Sequence, residues 1–439
     1  MKKVKLSRRA FLRFAGFAAT GAALAACAPP AAPQQQAADA AESTENSVDS
    51  AGGGEVTIAV GAWALDSHNE LIDKLGFLDS GFTVNVEVLP SGEQLSASLT
   101  AGIASGTSPY DVLDFEDGQA ITFSRAGFFQ PLDDLLEPDF WDDFPQTLLD
   151  VTDLWDRYEG NTFRIHHNFE AQYCWYRKDW FDAEGINPPT TWEEVAALGE
   201  VFTDEANGVW ATEEGLQVLS VFQGYLTRQA GGNYFDVNDS DKWEMALQYL
   251  YNLIYEDNAM NPAALQKNYD QQNADYTSDK VAYMRQWPFF YDVARAKEGW
   301  FEEEKAAVTM PPVGPGGKSG STYAAGWGYG ILKSAPNQAG AEKLLQFLVD
   351  IENAGQMALI DTWYLSNRAS VLDAVGDRGM AKHLREYTDA GIIGNRPFHA
   401  KFSEASTKLD EAASAYLTNQ IDLAECLSQG QAALAALET

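Results

Sequence analysis

The chain has 439 residues and a formal net charge of −34, and it contains 12 Trp, 18 Tyr and 23 Phe. At roughly 150 residues per domain this length predicts two or three domains, and so many aromatic side chains exclude a largely disordered chain. Three cysteines exclude a disulfide scaffold, five histidines leave little material for a histidine-rich metal site, and the acidic excess argues against binding to nucleic acid.

Residues 1–26 are predicted to be an export signal that does not belong to the fold. A lysine- and arginine-rich start precedes an apolar stretch, 14–26, that is too short to span a bilayer. The run Ser7–Leu12 resembles a twin-arginine export signal, and Leu24–Cys27 resembles a lipobox, in which Cys27 would carry the lipid. The alternative is an ordinary cleaved signal with a chance cysteine.

Residues 27–54 are predicted to be a lipid-anchored flexible tether. After Cys27 this stretch has no aromatic residue and only one large aliphatic residue, Val48, so it cannot form a core. We therefore expect an exported protein that is lipid-anchored to the outer face of the cell membrane and that does not span it.

The first part of the body alternates strands with helices. Strands are predicted at 55–61, 82–88 and 111–115, with helices at 70–78 and 93–105 between them. This order predicts a parallel sheet, in which ligands bind beyond the carboxyl ends of the strands at a switch point. Those ends carry Trp63, Asp66, Glu116 and Asp117.

A second α/β block follows. It contains a predicted strand at 171–176, a helix at 178–184 that ends at Gly185, and a helix capped by Thr191 with Glu194 in capping-box position. Further helices are predicted at 243–255, 338–350 and within 402–437, and a strand at 330–332.

Four segments, in this order, resemble the extracellular solute-binding proteins of ABC importers, family 1, the carbohydrate-binding group that includes maltose-binding proteins. They are Ala104–Leu136, Tyr176–Asp204 with its Pro-Pro-Thr-Thr-Trp-Glu-Glu motif, Val308–Leu348 and Ser366–Leu372. The chain departs from the family pattern at His166-His167, where a proline-containing hinge is common, and at Ser366-Asn367-Arg368, which lacks a proline.

The resemblance implies a two-lobe α/β periplasmic-binding-protein-like fold with hinge strands and a ligand cleft between the lobes. The implied segments are 55–164 plus 306–350 for lobe one and 165–305 plus 351–439 for lobe two, with crossovers near Arg164–Asn168, Lys305–Met310 and Asp350–Ala354. Binding would close the lobes on the solute.

A sugar site needs flat aromatic platforms and a few directed polar groups. The candidate platforms are Trp63, Trp287, Trp327, Tyr329, Trp363 and Tyr364, and Gly326 beside Trp327 would let a ligand approach the backbone. The polar candidates are Asp66, Glu116, Asp117, Asn168, Glu170, Asn233 and Arg368. The alternatives are core packing for each aromatic residue and a solvated surface position for each acid.

The favoured function is a receptor that captures a sugar or oligosaccharide and delivers it to an ABC permease. The alternatives are a surface glycoside hydrolase that pairs Glu116 with Glu170, and an adhesive lipoprotein. We expect a monomer without cofactor or metal. Adjacent His166 and His167 should point to opposite faces, and Cys174 and Cys426 are better explained as buried thiols than as a disulfide.

Overall fold

The computed structural model describes residues 53–90, 92–297, 300, 305–317, 320–361 and 365–437. The predicted export signal, the lipid site at Cys27 and nearly all of the predicted tether lie outside the described residues, as do Trp363 and Tyr364. In the described part of the chain, no helix is both long and apolar enough to cross a membrane.

Fourteen strands and sixteen α-helices make up the described fold. The strands are β1 (Glu55–Val60), β2 (Thr83–Val88), β3 (Val112–Glu116), β4 (Arg157–Tyr158), β5 (Asn161–Thr162), β6 (Ile165–His166), β7 (Glu170–Ala171), β8 (Tyr173–Arg177), β9 (Trp210–Glu213), β10 (Val281–Gln286), β11 (Ala306–Thr309), β12 (Thr322–Ala325), β13 (Trp327–Ile331) and β14 (Ile393–Asn395). The helices are α1 (Leu65–Lys74), α2 (Gly92–Ser105), α3 (Asp117–Arg125), α4 (Gln146–Trp155), α5 (Lys178–Glu184), α6 (Trp192–Phe202), α7 (Leu219–Gln229), α8 (Ser240–Tyr255), α9 (Tyr269–Thr277), α10 (Phe290–Ala296), α11 (Gln338–Val349), α12 (Ile351–Ile360), α13 (Ala369–Val375), α14 (Ala381–Asp389), α15 (Phe402–Leu417) and α16 (Leu423–Leu437).

Lobe one is built around a five-stranded sheet with the order β2-β1-β3-β13-β6. Strands β2, β1 and β3 are parallel, as the sequence predicts, whereas β13 runs antiparallel to β3 and to β6. The β-branched side chains of β1 are buried in an apolar core together with Leu344 and Leu348 of α11. This burial fixes the register that brings Glu116 to the end of β3.

Lobe two contains a four-stranded sheet, β11-β8-β10-β9, and a three-stranded sheet, β14-β12-β7. Its largest described core joins α6, α7 and α8 to these strands, with Leu247 and Leu250 at the centre. The C-terminal helices α15 and α16 pack on α7 and α8, which agrees with the helical pattern of 402–437. Thr191 caps α6, since its side chain accepts a hydrogen bond from the backbone N–H of Glu194.

Two neighbouring antiparallel segments carry the chain between the lobes. Strand β6 pairs with β13 in lobe one, and β7, four residues further along, pairs with β12 in lobe two. Gly326 alone separates β12 from β13. The passage from β6 to β7 runs from His166 to Glu170 and overlaps the segment Arg164–Asn168, which the sequence predicts as the first crossover.

The other two crossovers differ from the sequence expectation. Strand β11, which the sequence places in lobe one, pairs with β8 in lobe two, so the chain returns to lobe one only after β12. Asp350 caps α12 instead of starting a crossover, and Met357 and Ala358 of that helix lie in the core of lobe one. Both segments are short. The lobe to which each of them belongs is decided by long-range apolar contacts, which the local sequence pattern does not reveal.

Candidate functional site

Asp117 is fully buried and is the first residue of α3. One carboxylate oxygen, Oδ1, accepts a hydrogen bond of 2.5 Å from Arg164 and lies 2.8 Å from Nε2 of His166. The other oxygen, Oδ2, accepts a bond of 3.0 Å from the backbone N–H of Gly326. Burial alone would raise the pKa of Asp117, but the charges of His166 and Arg164 hold it well below its usual range.

Asp156 completes a fully buried group of four charges with Asp117, Arg164 and His166, which we call the ion box. Arg164 donates to Asp156 at 2.6 Å, and Nδ1 of His166 lies 2.5 Å from Oδ2 of Asp156. Burial opposes the charged form of His166, but Asp156 and Asp117 outweigh it and raise its pKa. Because both oxygens of Asp117 are engaged, this residue holds the crossing segments together and offers no free carboxylate to a solute.

Asn168 and Glu170 lie on the first passage between the lobes. The side chain of Asn168 accepts from the backbone N–H of Trp327 at 2.8 Å and donates to Oε1 of Glu170 at 2.8 Å. Burial, with the negative charge of Asp117, raises the pKa of Glu170 to about 8. Near neutral pH this carboxyl is therefore mostly protonated, and it can both donate and accept a hydrogen bond.

A glycine is required at position 326, where the chain passes from β12 to β13. A Cβ atom at this position would lie 2.8 Å from the ring of His166 and 2.9 Å from the carbonyl oxygen of Asn168. The sequence predicts that this glycine lets a ligand approach the backbone. In the structure, the close approach that requires a glycine is between two chain segments.

Trp63 and Trp327 form an aromatic corner on lobe one. Their ring centroids are 5.1 Å apart with an interplanar angle of 81°, and Trp63 is 41% exposed. Trp63 follows β1 within a short turn before α1, and Asp66 lies exposed in the first turn of that helix. Two ring faces at nearly a right angle can contact a sugar ring from two sides.

Lobe two contributes Trp287 and Arg396. Trp287 is half-buried, with its ring centroid 6.3 Å from that of Tyr323. Arg396 follows β14, and its Nη1 lies 3.5 Å from Oε2 of Glu116 at the end of β3. Sequence reasoning missed Arg396, since it stands 280 residues from Glu116 in a short loop without a motif.

Three sequence-predicted residues have structural roles instead. Tyr329 is 1% exposed, its hydroxyl lies 2.8 Å from Nε2 of His68, and its ring stacks on His167. Arg368 is 5% exposed and donates to the carbonyl oxygens of Phe140 and Val349.

Asn233 is the third predicted site residue that has a structural role. It shapes a turn, because its backbone N–H donates to Asp239 and its side-chain oxygen accepts from the backbone N–H of Phe235. The structure therefore does not support Tyr329 as a platform or Arg368 as a solute ligand.

The described residues contain no group of three or more His, Cys, Asp or Glu side chains placed to hold a metal ion. His166 and His167 point to different partners, as predicted: His166 lies in the ion box, and Nε2 of His167 lies 2.7 Å from Asp114. Cys174 and Cys426 are buried free thiols, which confirms the preferred expectation.

The chain resembles proteins of known structure over most of its length. Maltose-bound MalE3 of T. maritima aligns with a TM-score of 0.73 and 20% identity, over 88% of this chain and 100% of that one. A solute-binding protein of Agrobacterium radiobacter K84 in complex with ribitol gives 0.74 and 20% over 88% and 99%. The GacH receptor of Streptomyces glaucescens, solved unliganded and with acarbose, gives 0.74 and 18% over 87% and 97%. At these identities the likeness establishes the two-lobe fold.

Sequence comparison adds a curated relative and a family. The osmoprotective compounds-binding protein GgtB of Synechocystis is 25% identical over 128 residues, which are 28% of this chain and 30% of that protein. The chain thus spans less than a third of this relative. The profile of the bacterial extracellular solute-binding proteins matches residues 67–355, more than half of the chain. The chain therefore belongs to the family of bacterial extracellular solute-binding proteins.

Proposed function

We propose that this solute-binding protein captures a neutral polyhydroxylated solute, a sugar, oligosaccharide or polyol, between its lobes and delivers it to an ABC permease. The observation that carries the proposal is the corner of Trp63 and Trp327 beside the raised-pKa carboxyl of Glu170. Flat apolar faces with a few directed hydrogen-bonding groups suit sugar rings. The maltose, ribitol and acarbose held by the structural neighbours support the same solute class.

The binding roles follow from position. Trp63 and Trp327 stack on the solute from lobe one, and Trp287 contacts it from lobe two. Glu116 and Glu170 bond its hydroxyls, while Asp117, Asn168 and Gly326 hold the crossing segments on which those side chains stand. Asp66, Trp363 and Tyr364 remain predicted contacts.

The site favours a solute without charge. The charges of the ion box balance, Glu170 is mostly protonated near neutral pH, and Arg396 faces Glu116. An anionic solute would meet the acidic residues Glu116 and Asp66, and the cation nearest to Glu116, Arg396, is already paired, which is costly where water is excluded. A polyol or sugar avoids this cost.

The remaining predicted features complete the proposal. Cys27 carries a lipid after export, and 27–54 tethers the monomeric receptor to the outer face of the membrane. We assign 306–325 to lobe two and 351–360 with 369–375 to lobe one, and otherwise keep the lobe bounds given by the resemblance. Recognition by aromatic faces and neutral groups favours a receptor over a glycoside hydrolase, in which the two acids Glu116 and Glu170 would act on the bond.

The test is a thermal-shift and calorimetric screen of the purified protein against mono- and oligosaccharides, polyols, and charged solutes such as betaines and amino acids. A neutral polyhydroxylated solute at 100 times its dissociation constant should add about 2.7 kcal/mol to the free energy of unfolding. Binding of charged solutes alone would contradict the solute class. Reducing ends that accumulate with time would contradict the receptor in favour of the hydrolase.

A further inference from the structure

Arg396 of lobe two lies close to two acidic residues of lobe one. It follows β14 of lobe two, yet its Nη1 lies 3.5 Å from Oε2 of Glu116 and 4.0 Å from Oδ2 of Asp117, both in lobe one. The side chain of Arg396 is 10% exposed, whereas that of Glu116 is 42% exposed. A largely buried guanidinium thus lies at the outer limit of hydrogen-bond distance from one oxygen of a partly exposed carboxylate.

Asp117 has its own partners, so Arg396 acts chiefly on Glu116. Arg164 and His166 engage Oδ1 of Asp117, and the backbone of Gly326 engages Oδ2. The guanidinium of Arg396 also lies over the ring of Phe402, 4.6 Å from its centroid, which holds the cation in place from one side.

A steric contact between the lobes lies beside this ion pair. Gly118, in the first turn of α3, meets the start of α15: a Cβ atom on Gly118 would lie 2.7 Å from the ring of Phe402. The hydroxyl of Ser403 donates to the carbonyl oxygen of Gly118 at 3.5 Å. The absence of a side chain at Gly118 therefore allows α15 to approach α3.

We propose that Arg396 is a positioning residue for solute binding: it holds the Glu116 carboxylate at the cleft surface and, with the contact of Phe402 on Gly118, stabilises the arrangement in which the lobes are together. This inference rests on the proposed function, because Glu116 is the solute-binding group through which Arg396 acts. A solute then finds Glu116 already oriented, and less of its binding free energy is used to order the cleft.

The first experiment is a double-mutant cycle on the full chain, with the dissociation constant of the neutral solute found in the screen as readout. Arg396→Met keeps an apolar stem of similar length, and Glu116→Gln keeps the shape of Glu116 without its charge. Each single change should weaken binding by about tenfold, and the double variant should be less than about threefold weaker than Glu116→Gln alone. The positioning role would be overturned if the losses of affinity of the two single variants multiplied in the double variant. It would also be overturned if Arg396→Met bound the solute as tightly as the unmodified protein.

The second experiment tests the contact between the lobes without altering the charges of the cleft. Gly118→Ala introduces a methyl group against Phe402, and Gly355→Ala is the matched control, since it is also a helical glycine but has room for a Cβ, 3.9 Å from Val371. We expect Gly118→Ala and Arg396→Met to increase the solute-free radius of gyration in small-angle scattering, and Gly355→Ala to leave it unchanged. Identical radii in all four proteins would overturn the proposed contact.

The two measurements separate this inference from the proposed function. If the unmodified protein binds no sugar or polyol, the proposed function fails, and the solute-free scattering still decides whether Arg396 and Gly118 hold the lobes together. If it binds such a solute but Arg396→Met binds equally well, only the positioning role fails.

Discussion

The aromatic corner and the ion box each include a residue next to a passage between the lobes, Trp327 and His166, but they are built on opposite principles. Trp63 is partly exposed and stacks edge-on with Trp327, whereas Asp117, Asp156, Arg164 and His166 are fully buried and pair with one another. In the ion box, charge serves to hold the backbone in place. In the proposed function the solute is instead bound by ring faces, by the carboxyl of Glu170 and by a Glu116 carboxylate that is paired with Arg396.

The largest loss of stability is expected when one charge is removed from the ion box. Arg164→Met leaves Asp117 and Asp156 buried with fewer partners, and we expect the free energy of unfolding to fall by about 3–5 kcal/mol in urea denaturation. The control is Arg157→Met, which removes a partly exposed pair with Asp153 and should cost less than about 1 kcal/mol. Similar losses in the two variants would mean that the ion box is no more important to the fold than a surface pair.

The aromatic corner should show the opposite behaviour. Trp327→Ala should weaken solute binding by roughly 1–3 kcal/mol, because one ring face of the platform is lost, while the stability changes little. Trp243→Ala is the control: this ring is buried in a core, and its loss should cost about 3–5 kcal/mol of stability. If Trp327→Ala unfolds readily and the folded fraction binds normally, Trp327 belongs to the core.

Glu170 interacts with both regions, because Asn168 links it to Trp327 and the charge of Asp117 acts on its carboxyl. Its pKa is raised from 4.5 to about 8 in the folded protein, so the folded state favours the protonated form. The contribution of Glu170 to stability is therefore greatest below pH 4.5 and is lost progressively as the pH rises toward 8.

Glu170→Gln keeps a neutral group that can bond Asn168. The unfolding free energy of the unmodified protein minus that of this variant should thus decrease between pH 5 and pH 8.5 in urea denaturation. A difference that stays constant over this range would show that Glu170 ionises in the folded protein as it does in the unfolded one.

The smallest change in solute affinity is expected from a deletion outside both regions. Removal of residues 1–54 should leave the solute affinity in calorimetry unchanged, because this stretch contributes no predicted cleft residue. The comparison is with the intact chain under the same conditions. A large loss of affinity would place part of 28–54 in the site.

The local features of the fold could be predicted from the sequence, and the long-range ones could not. Alternating β-branched residues define β1 and β2, and Thr191 with Glu194 defines the start of α6, because the physical cause of each lies within a few residues. The pairing of Arg164 with Asp117 spans 47 residues, and no periodicity reports it.

Two aromatic candidates on a single strand show the same limit of prediction from the sequence. Trp327 and Tyr329 are two residues apart on β13 and have the same spacing signal, yet Trp327 stands at the crossing between lobes and Tyr329 lies in the middle of the sheet. There, His68 of α1 and His167 cover Tyr329. Which of the two rings faces the cleft depends on tertiary packing.

The most direct test is a crystal structure of the protein with the neutral solute identified in the screen. We expect a solute ring packed in the corner of Trp63 and Trp327, a hydrogen bond to Glu170, and a contact with Trp287 of lobe two, while the ion box is unchanged. A solute bound to one lobe alone, or outside the cleft in the groove of Trp192 and Tyr249 between α6 and α8, would contradict it.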